Sequence, residues 1–125
     1  MSNTDDNLKI AFASESQTNI EYLAYAHRAM DEGCMEIAQL FREAAGAEVV
    51  HALGHLKAMG VVRTTGDNLK EAAAGESLEI MSMYPKFIAE AEDEGRKEAA
   101  ESFRIAFERE KHHRNMFQQA LKLLK

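Results

Sequence analysis

Apolar residues recur at steps of three and four positions through most of this chain, which is the period of an amphipathic α-helix. The pattern predicts four helices, at about 5–31, 35–59, 67–93 and from 97 to the end of the chain. Asn3 or Thr4 is expected to cap the first helix, and Asp67 the third. Only 61–65 favours a strand, so the expected fold class is all-α.

The two halves of the chain share a pattern of short motifs. SES (14–16), DEG (31–33) and EVVH (48–51) are followed by GES (75–77), DEG (93–95) and EREKHH (108–113). Glu48 follows Glu15 by 33 positions, whereas Glu110 follows Glu76 by 34. The extra residue falls near Pro85, which cannot donate a helical hydrogen bond, and this predicts a local bulge. We interpret the chain as one domain, 1–125, built from duplicated helical hairpins at about 5–59 and 67–125.

Glutamates interrupt the apolar face of each predicted helix. On the second and fourth helices a histidine, His51 or His113, follows the glutamate by three positions and so lies beside it on the same face. The glutamates on these faces are Glu15, Glu48, Glu76, Glu79 and Glu110.

Convergence of these carboxylates predicts a metal centre. A buried, unpaired carboxylate is costly, so such a group is protonated, paired or bound to metal. Five negative charges suit two metal ions better than one, and oxygen-rich ligation with one imidazole per ion favours iron or manganese over structural zinc. One glutamate from each of two helices and Glu-x-x-His from each of the other two is the arrangement of di-iron carboxylate bundles.

Composition narrows the function classes. The net charge of −6 argues against nucleic acid as a partner. No apolar run approaches the ~20 residues that span a bilayer, and the polar N-terminus is unlike a signal peptide, so a cytoplasmic protein is expected. Cys34 is the single cysteine, which excludes an internal disulfide or a CxxC site within these residues.

Four segments resemble the rubrerythrin family: FASESQTNIEY (12–22), AEVVHA (47–52), AGESLEIMSMYPKF (74–87) and EREKHH (108–113). The resemblance implies a ferritin-like four-helix bundle with two iron ions, for which manganese or zinc could substitute. The implied metal ligands are Glu15, Glu48, His51, Glu76, Glu79, Glu110 and His113.

The resemblance also implies a function: an NADH- or rubredoxin-linked peroxidase that reduces hydrogen peroxide to water and protects against oxidative stress. Glu79, whose counterpart in the first half is Thr18, is implied to favour peroxide over dioxygen. Typical members carry a rubredoxin domain with four cysteines, and this chain is more similar to the erythrin and sulerythrin type without it. Electrons are therefore expected from a separate protein such as a rubredoxin.

Several alternatives stay open at this point. Ferroxidase or iron-handling activity, or a non-catalytic bundle stabilised by metal, would use similar ligands. Tyr22 and Tyr84 are candidates to hydrogen-bond the ligand carboxylates and supply protons, or else they are core aromatics. His55, one turn beyond His51, is interpreted as a core histidine or a support for the ligands, with an additional ligand as the alternative.

The link between the second and third helices suggests an assembly. These helices run parallel in a ferritin-like bundle, so the link must climb the ~37 Å length of a ~25-residue helix. The stretch 61–66 reaches only ~20 Å when extended. Either the helix ends fray or hairpins are exchanged between two chains. We expect a homodimer with exchanged hairpins, in which three ligands come from one chain and four from its partner.

Overall fold

Helices joined by short turns make up the part of the chain that the computed structural model describes, residues 2–124. Met1 and Lys125, the ends of the predicted domain range, lie outside the described residues. None of the described helices is long and apolar enough to cross a membrane. The elements are α1 (Asn3–Asp31), α2 (Met35–Met59), α3 (Thr65–Leu78), a π-helical segment (Glu79–Met83), α4 (Tyr84–Asp93) and α5 (Lys97–Leu123).

These elements form two compact units that divide between Val62 and Arg63. In the first unit α1 packs against α2, and in the second α3, the π-helical segment and α4 pack against α5. The buried apolar positions of the described residues are mostly alanines, which allow neighbouring helices to approach closely. Whether both units complete one domain stays a prediction. The buried apolar residues are Ala26, Ala29, Ala38, Ala45 and Ala52 in the first unit, and Ala73, Ile80, Ala91 and Ala100 in the second.

The turns of the two hairpins have the same geometry, which agrees with the predicted duplication. Gly33 and Gly95 adopt left-handed backbone with φ of 79° and 70°. The N–H of the next residue donates to the carbonyl five positions earlier, over 2.7 Å from Cys34 and 2.8 Å from Arg96. This is the hydrogen-bond pattern with which glycine ends a helix.

The predicted helix caps were wrong. Ser2, rather than Asn3 or Thr4, caps α1: its hydroxyl accepts a 3.1 Å hydrogen bond from the N–H of Asp5, whose carboxylate accepts one from the N–H of Ser2. Thr64 caps α3 in the same way, with a 3.2 Å hydrogen bond from the N–H of Asp67. Asp5 in α1 and Asp67 in α3 lie in the first turn of their helices, where negative charge is favourable.

The predicted bulge in the third helix is present as the π-helical segment. Right-handed helical backbone continues through both of its junctions, so α3, this segment and α4 form one continuous helix. The N–H of Tyr84 donates to the carbonyl of Glu79, five positions back. A π-turn absorbs one extra residue, which accounts for the spacing of 34 in place of 33. This hydrogen bond brings Glu79 and Tyr84 next to each other on the same side of the helix.

Candidate metal centre

The first unit brings together three of the predicted ligands. Glu15 comes from α1, and Glu48 and His51 come from adjacent positions on one face of α2. One ligand atom from each lies within 4.8 Å of the others. Nδ1 of His51 is 3.2 Å from Oε1 of Glu15 and 3.9 Å from Oε2 of Glu48. We refer to these three residues as the first cluster.

A hydrogen bond between helices supports the first cluster. The side-chain amide of Asn19 on α1 donates to the backbone carbonyl of Ala45 on α2 over 2.7 Å. Asn19 lies one turn beyond Glu15, and Ala45 one turn before Glu48, so the bond ties the two helices together beside the cluster. The sequence reasoning missed this contact, although an asparagine on the same face as Glu15 was a signal for it.

His55 also contacts the first cluster. Its Nε2 lies against Oε2 of Glu15, although the N–H is not aligned for a hydrogen bond and this buried oxygen accepts none. His55 is partly exposed, with 32% of its side chain accessible. The contact supports the interpretation of His55 as a residue that supports the ligands.

The second unit assembles three carboxylates. Glu76 from α3, Glu79 from the start of the π-helical segment and Glu110 from α5 place one oxygen each within 4.8 Å of the others. We refer to them as the second cluster. Nδ1 of His113 is 3.6 Å from Oε1 of Glu76, so this histidine stands at the edge of the cluster.

Burial and neighbouring charges favour the protonated forms of Glu110 and Tyr84 at the second cluster. Burial raises the pKa of Glu110 from 4.5 to about 7, and a hydrogen bond to Glu79 together with the charges of Glu79 and Glu76 adds to the rise. Tyr84 lies close enough to feel the same charges: burial first, and then Glu110, Glu79 and Glu76, raise the pKa of its hydroxyl. Metal-free, this cluster retains a proton near neutral pH.

The two candidate tyrosines occupy equivalent places in their units. Each packs in a group of three aromatic rings, with centroids 5.4–6.3 Å apart in both groups. Tyr84 lies near the second cluster, whose three carboxylates raise the pKa of its hydroxyl in addition to burial. The hydroxyl of Tyr22 forms no hydrogen bond within residues 2–124. Their role in proton supply stays a prediction. The groups are Tyr22, Tyr25 and Phe41, and Tyr84, Phe87 and Phe103.

The donor sets fit metal ions. Within residues 2–124 no lysine or arginine forms an ion pair with any of the five glutamates in the two clusters. Three of their oxygens are buried without a hydrogen-bond partner: Oε2 of Glu15, of Glu76 and of Glu110. Buried carboxylate oxygens of this kind are costly unless a cation or a hydrogen-bond donor satisfies them. Carboxylates with imidazole are ligands that iron and manganese accept.

Comparison with known proteins agrees with this reading. The rubrerythrin family model matches residues 6–121. Rubrerythrin of Porphyromonas gingivalis is 36% identical over 93% of this chain, and rubrerythrin-1 of Clostridium acetobutylicum is 36% identical over 95% of it. The chain spans 64% and 70% of the lengths of these two relatives.

Solved structures give the same result. Nigerythrin structures in a mixed-valence state and in a partially reduced state are each 30% identical to the chain, with a TM-score of 0.50. Each alignment covers 98% of this chain and 67% of the solved one. The family match and the helical clusters together confirm the expected fold class, all-α and ferritin-like. The chain belongs to the rubrerythrin family.

Proposed function

We propose that this chain is a non-haem di-iron peroxidase, which reduces hydrogen peroxide to water with electrons from a separate donor. The observation that carries the proposal is the pair of ligand clusters, one of two carboxylates with a histidine and one of three carboxylates, with buried oxygens that lack hydrogen-bond partners. Membership of the rubrerythrin family supports it. The cellular role proposed is protection of the cytoplasm against oxidative stress.

The proposed centre uses both clusters. The ligands offered by the chain are Glu15, Glu48 and His51 from the first cluster, and Glu76, Glu79 and Glu110 with His113 from the second. When bound there, iron supplies Lewis acidity and a two-electron couple. Manganese could occupy the same ligands, whereas zinc could bind but has no redox chemistry.

The chain's own groups are suited to moving protons. Reduction of one hydrogen peroxide consumes two electrons and two protons and yields two water molecules. Glu110 has a pKa of about 7 and so holds or releases a proton near neutral pH. Tyr84, whose pKa is raised, retains its O–H and can donate a hydrogen bond beside the three carboxylates. Tyr22 is proposed to do the same for the first cluster.

Glu79 is proposed to set the choice of oxidant. It gives the second cluster a third carboxylate, whereas Thr18 stands at the equivalent position of the first unit and its hydroxyl bonds to the carbonyl of Ser14. The extra negative charge supports a high oxidation state and keeps Glu110 ready to take up a proton. This asymmetry is the residue-level basis for preferring peroxide to dioxygen.

The proposed electron donor is a separate protein such as a rubredoxin. Residues 1–125 cannot hold a rubredoxin-type iron by themselves, because that iron needs four thiolates and Cys34 is their one cysteine. The proposed assembly is a homodimer with exchanged hairpins. Residues 60–64 link α2 to α3 and reach ~18 Å at most. A link between parallel helices of one bundle would have to span the ~37 Å length of a ~25-residue helix.

A coupled assay tests the proposed activity. Iron-reconstituted protein is given NADH, a rubredoxin reductase and a rubredoxin, and loss of hydrogen peroxide is followed. We expect turnover that disappears without iron and falls at least about a hundredfold in Glu110→Ala, since a ligand and a proton-carrying group are both lost. Glu108→Ala, at an exposed position of the same helix, is the control. Absence of peroxide turnover from protein with two irons per site would reject the proposal, and uptake of many more irons would indicate iron storage.

A further inference from the structure

We infer that His55 is a positioning residue that holds Glu15 as a ligand through one oxygen, and so makes the two halves of the metal centre unequal. The inference rests on the proposed di-iron function. It concerns a histidine outside the seven residues proposed as metal ligands.

The first argument is the division of the two oxygens of Glu15. Oε1 lies 3.2 Å from Nδ1 of His51, on the side of the cluster. Oε2 is buried, and the nitrogen that lies against it is Nε2 of His55. With a proton on Nε2, a small rotation of the imidazole aligns it as a donor to this oxygen. Oε2 is then satisfied by His55, and Oε1 is left for metal.

The second argument separates positioning from ligation. The atoms that lie within 4.8 Å of one another belong to Glu15, Glu48 and His51, and the set does not extend to His55 among the described residues. The contact of His55 is therefore with one carboxylate oxygen and not with the whole cluster. Residues that hold a ligand in this way commonly contribute ten- to a hundredfold to metal affinity.

The third argument comes from the duplicated sequence. His51 corresponds to His113, and four positions later His55 corresponds to Phe117. Phe117 packs against the ring of His113 with centroids 6.4 Å apart. Oε2 of Glu76, the equivalent of the oxygen beside His55, is likewise buried without a hydrogen-bond partner, but the histidine near Glu76, His113, lies against Oε1 instead.

It follows that Glu15 and Glu76, which are equivalent in the duplicated sequence, differ in the oxygens that they offer to metal. Glu15 is restrained from two sides and offers Oε1, whereas Glu76 keeps Oε2 free to take part in binding. The first unit therefore has an additional histidine, His55, whereas the second unit has an additional carboxylate, Glu79, at a different position of the hairpin. We infer that His55 strengthens metal binding at the first cluster by fixing the orientation of Glu15.

Cobalt(II) titration followed by visible absorption tests this inference without relying on activity. His55→Phe introduces the residue that the second unit has at the equivalent position, and His55→Gln keeps an N–H donor. His27→Phe, an exposed histidine on α1, is the matched control. We expect the first-cluster affinity for cobalt to fall at least about tenfold in His55→Phe and to stay within about threefold in His55→Gln. The absorption bands of His55→Gln should match those of the wild type.

Each other result has a distinct meaning. Equal cobalt affinity in His55→Phe and His27→Phe would overturn the positioning role while leaving the metal centre intact. Loss of one bound cobalt, or changed bands, in both His55→Gln and His55→Phe would show that His55 is itself a ligand and would also overturn it. Failure of the wild type to bind cobalt would reject the proposed centre together with this inference.

Discussion

Nδ1 of His51 lies 3.2 Å from Oε1 of Glu15, which brings together side chains of two helices that are 36 positions apart in the sequence. The contact places a nitrogen and an oxygen that could bind metal side by side in the first cluster. Nearby, Glu48 adds a second carboxylate. Without a cation the carboxylates of Glu15 and Glu48 repel each other, whereas a bound cation would neutralise them and stabilise the arrangement.

Metal binding should therefore stabilise the fold. Adding manganese(II) at about a hundred times its dissociation constant should raise the free energy of unfolding by about 2.7 kcal/mol per site, because the folded state binds the ion and the unfolded chain does not. Thermal unfolding with and without a chelator measures the change. Glu48→Ala combined with Glu110→Ala should abolish it. An unchanged melting temperature in the wild type would argue against a metal centre.

The metal-free protein should lose stability as pH rises. Glu110 has a folded pKa of about 7 and an ordinary value of 4.5, so the folded state holds its proton more tightly than the unfolded state. Its contribution is complete below pH 4.5 and is lost as pH rises through 7. After allowance for solvent screening, we expect a loss of about 1 kcal/mol relative to Glu110→Gln. Urea unfolding at pH 5 and pH 8 measures it.

The exposed Glu108 provides the control for this pH effect. Glu108→Gln should keep the pH dependence of the wild type, since the substitution leaves the second cluster intact. Parallel pH profiles for the wild type and Glu110→Gln would contradict the assignment. Metal affinity should rise with pH over the same range, because binding displaces the proton of Glu110.

Asn19 should contribute to stability rather than to chemistry. Its 2.7 Å hydrogen bond to the carbonyl of Ala45 is partly buried and joins α1 to α2. Asn19→Ala should lower the free energy of unfolding by about 1 kcal/mol. Gln17→Ala, which removes an exposed 3.3 Å contact with Glu21, should change it by less than about 0.5 kcal/mol. Equal effects of the two substitutions would refute the role assigned to Asn19.

The sequence was sufficient to predict the helices and the grouping of the carboxylates and His51 into two clusters. Steps of three and four placed Glu15, Glu48 and His51 on facing sides of one hairpin, and the same logic placed Glu76 and Glu110. The mismatch of 33 and 34 residues predicted an irregularity, which the structure shows as the π-helical segment. These features follow from helical geometry, which sequence spacing determines.

Other features depend on contacts that spacing does not determine. The caps at Ser2 and Thr64 were missed, because Asn3, Thr4 and Asp67 have similar cap preferences and only backbone geometry selects among them. The contact between His55 and Glu15 depends on the side-chain rotamers of both residues. Helical period alone places His55 near the cluster but does not decide which atom it touches.

If the proposed exchange of hairpins occurs, two defective chains should complement each other. One chain carries Glu48→Ala and His51→Ala, and the other carries Glu110→Ala and His113→Ala. If hairpins are exchanged, the co-expressed heterodimer contains one site with all seven ligands and should bind two manganese ions tightly, whereas neither homodimer should. Two differently tagged chains allow the heterodimer to be purified. A heterodimer that binds no better than the homodimers would indicate that each site is built from one chain.

The most direct test of the central claim is anaerobic single-turnover oxidation of the reduced protein, following the diferric absorbance with one equivalent of hydrogen peroxide and separately with dioxygen. We predict complete oxidation by peroxide at a rate at least about tenfold above that with dioxygen, a difference of about 1.4 kcal/mol in activation free energy. Glu79→Ala should remove the preference, and Glu71→Ala, at an exposed position of α3, should keep it. Oxidation by dioxygen as fast as by peroxide would contradict the peroxidase assignment, and an unchanged preference in Glu79→Ala would contradict the role proposed for Glu79.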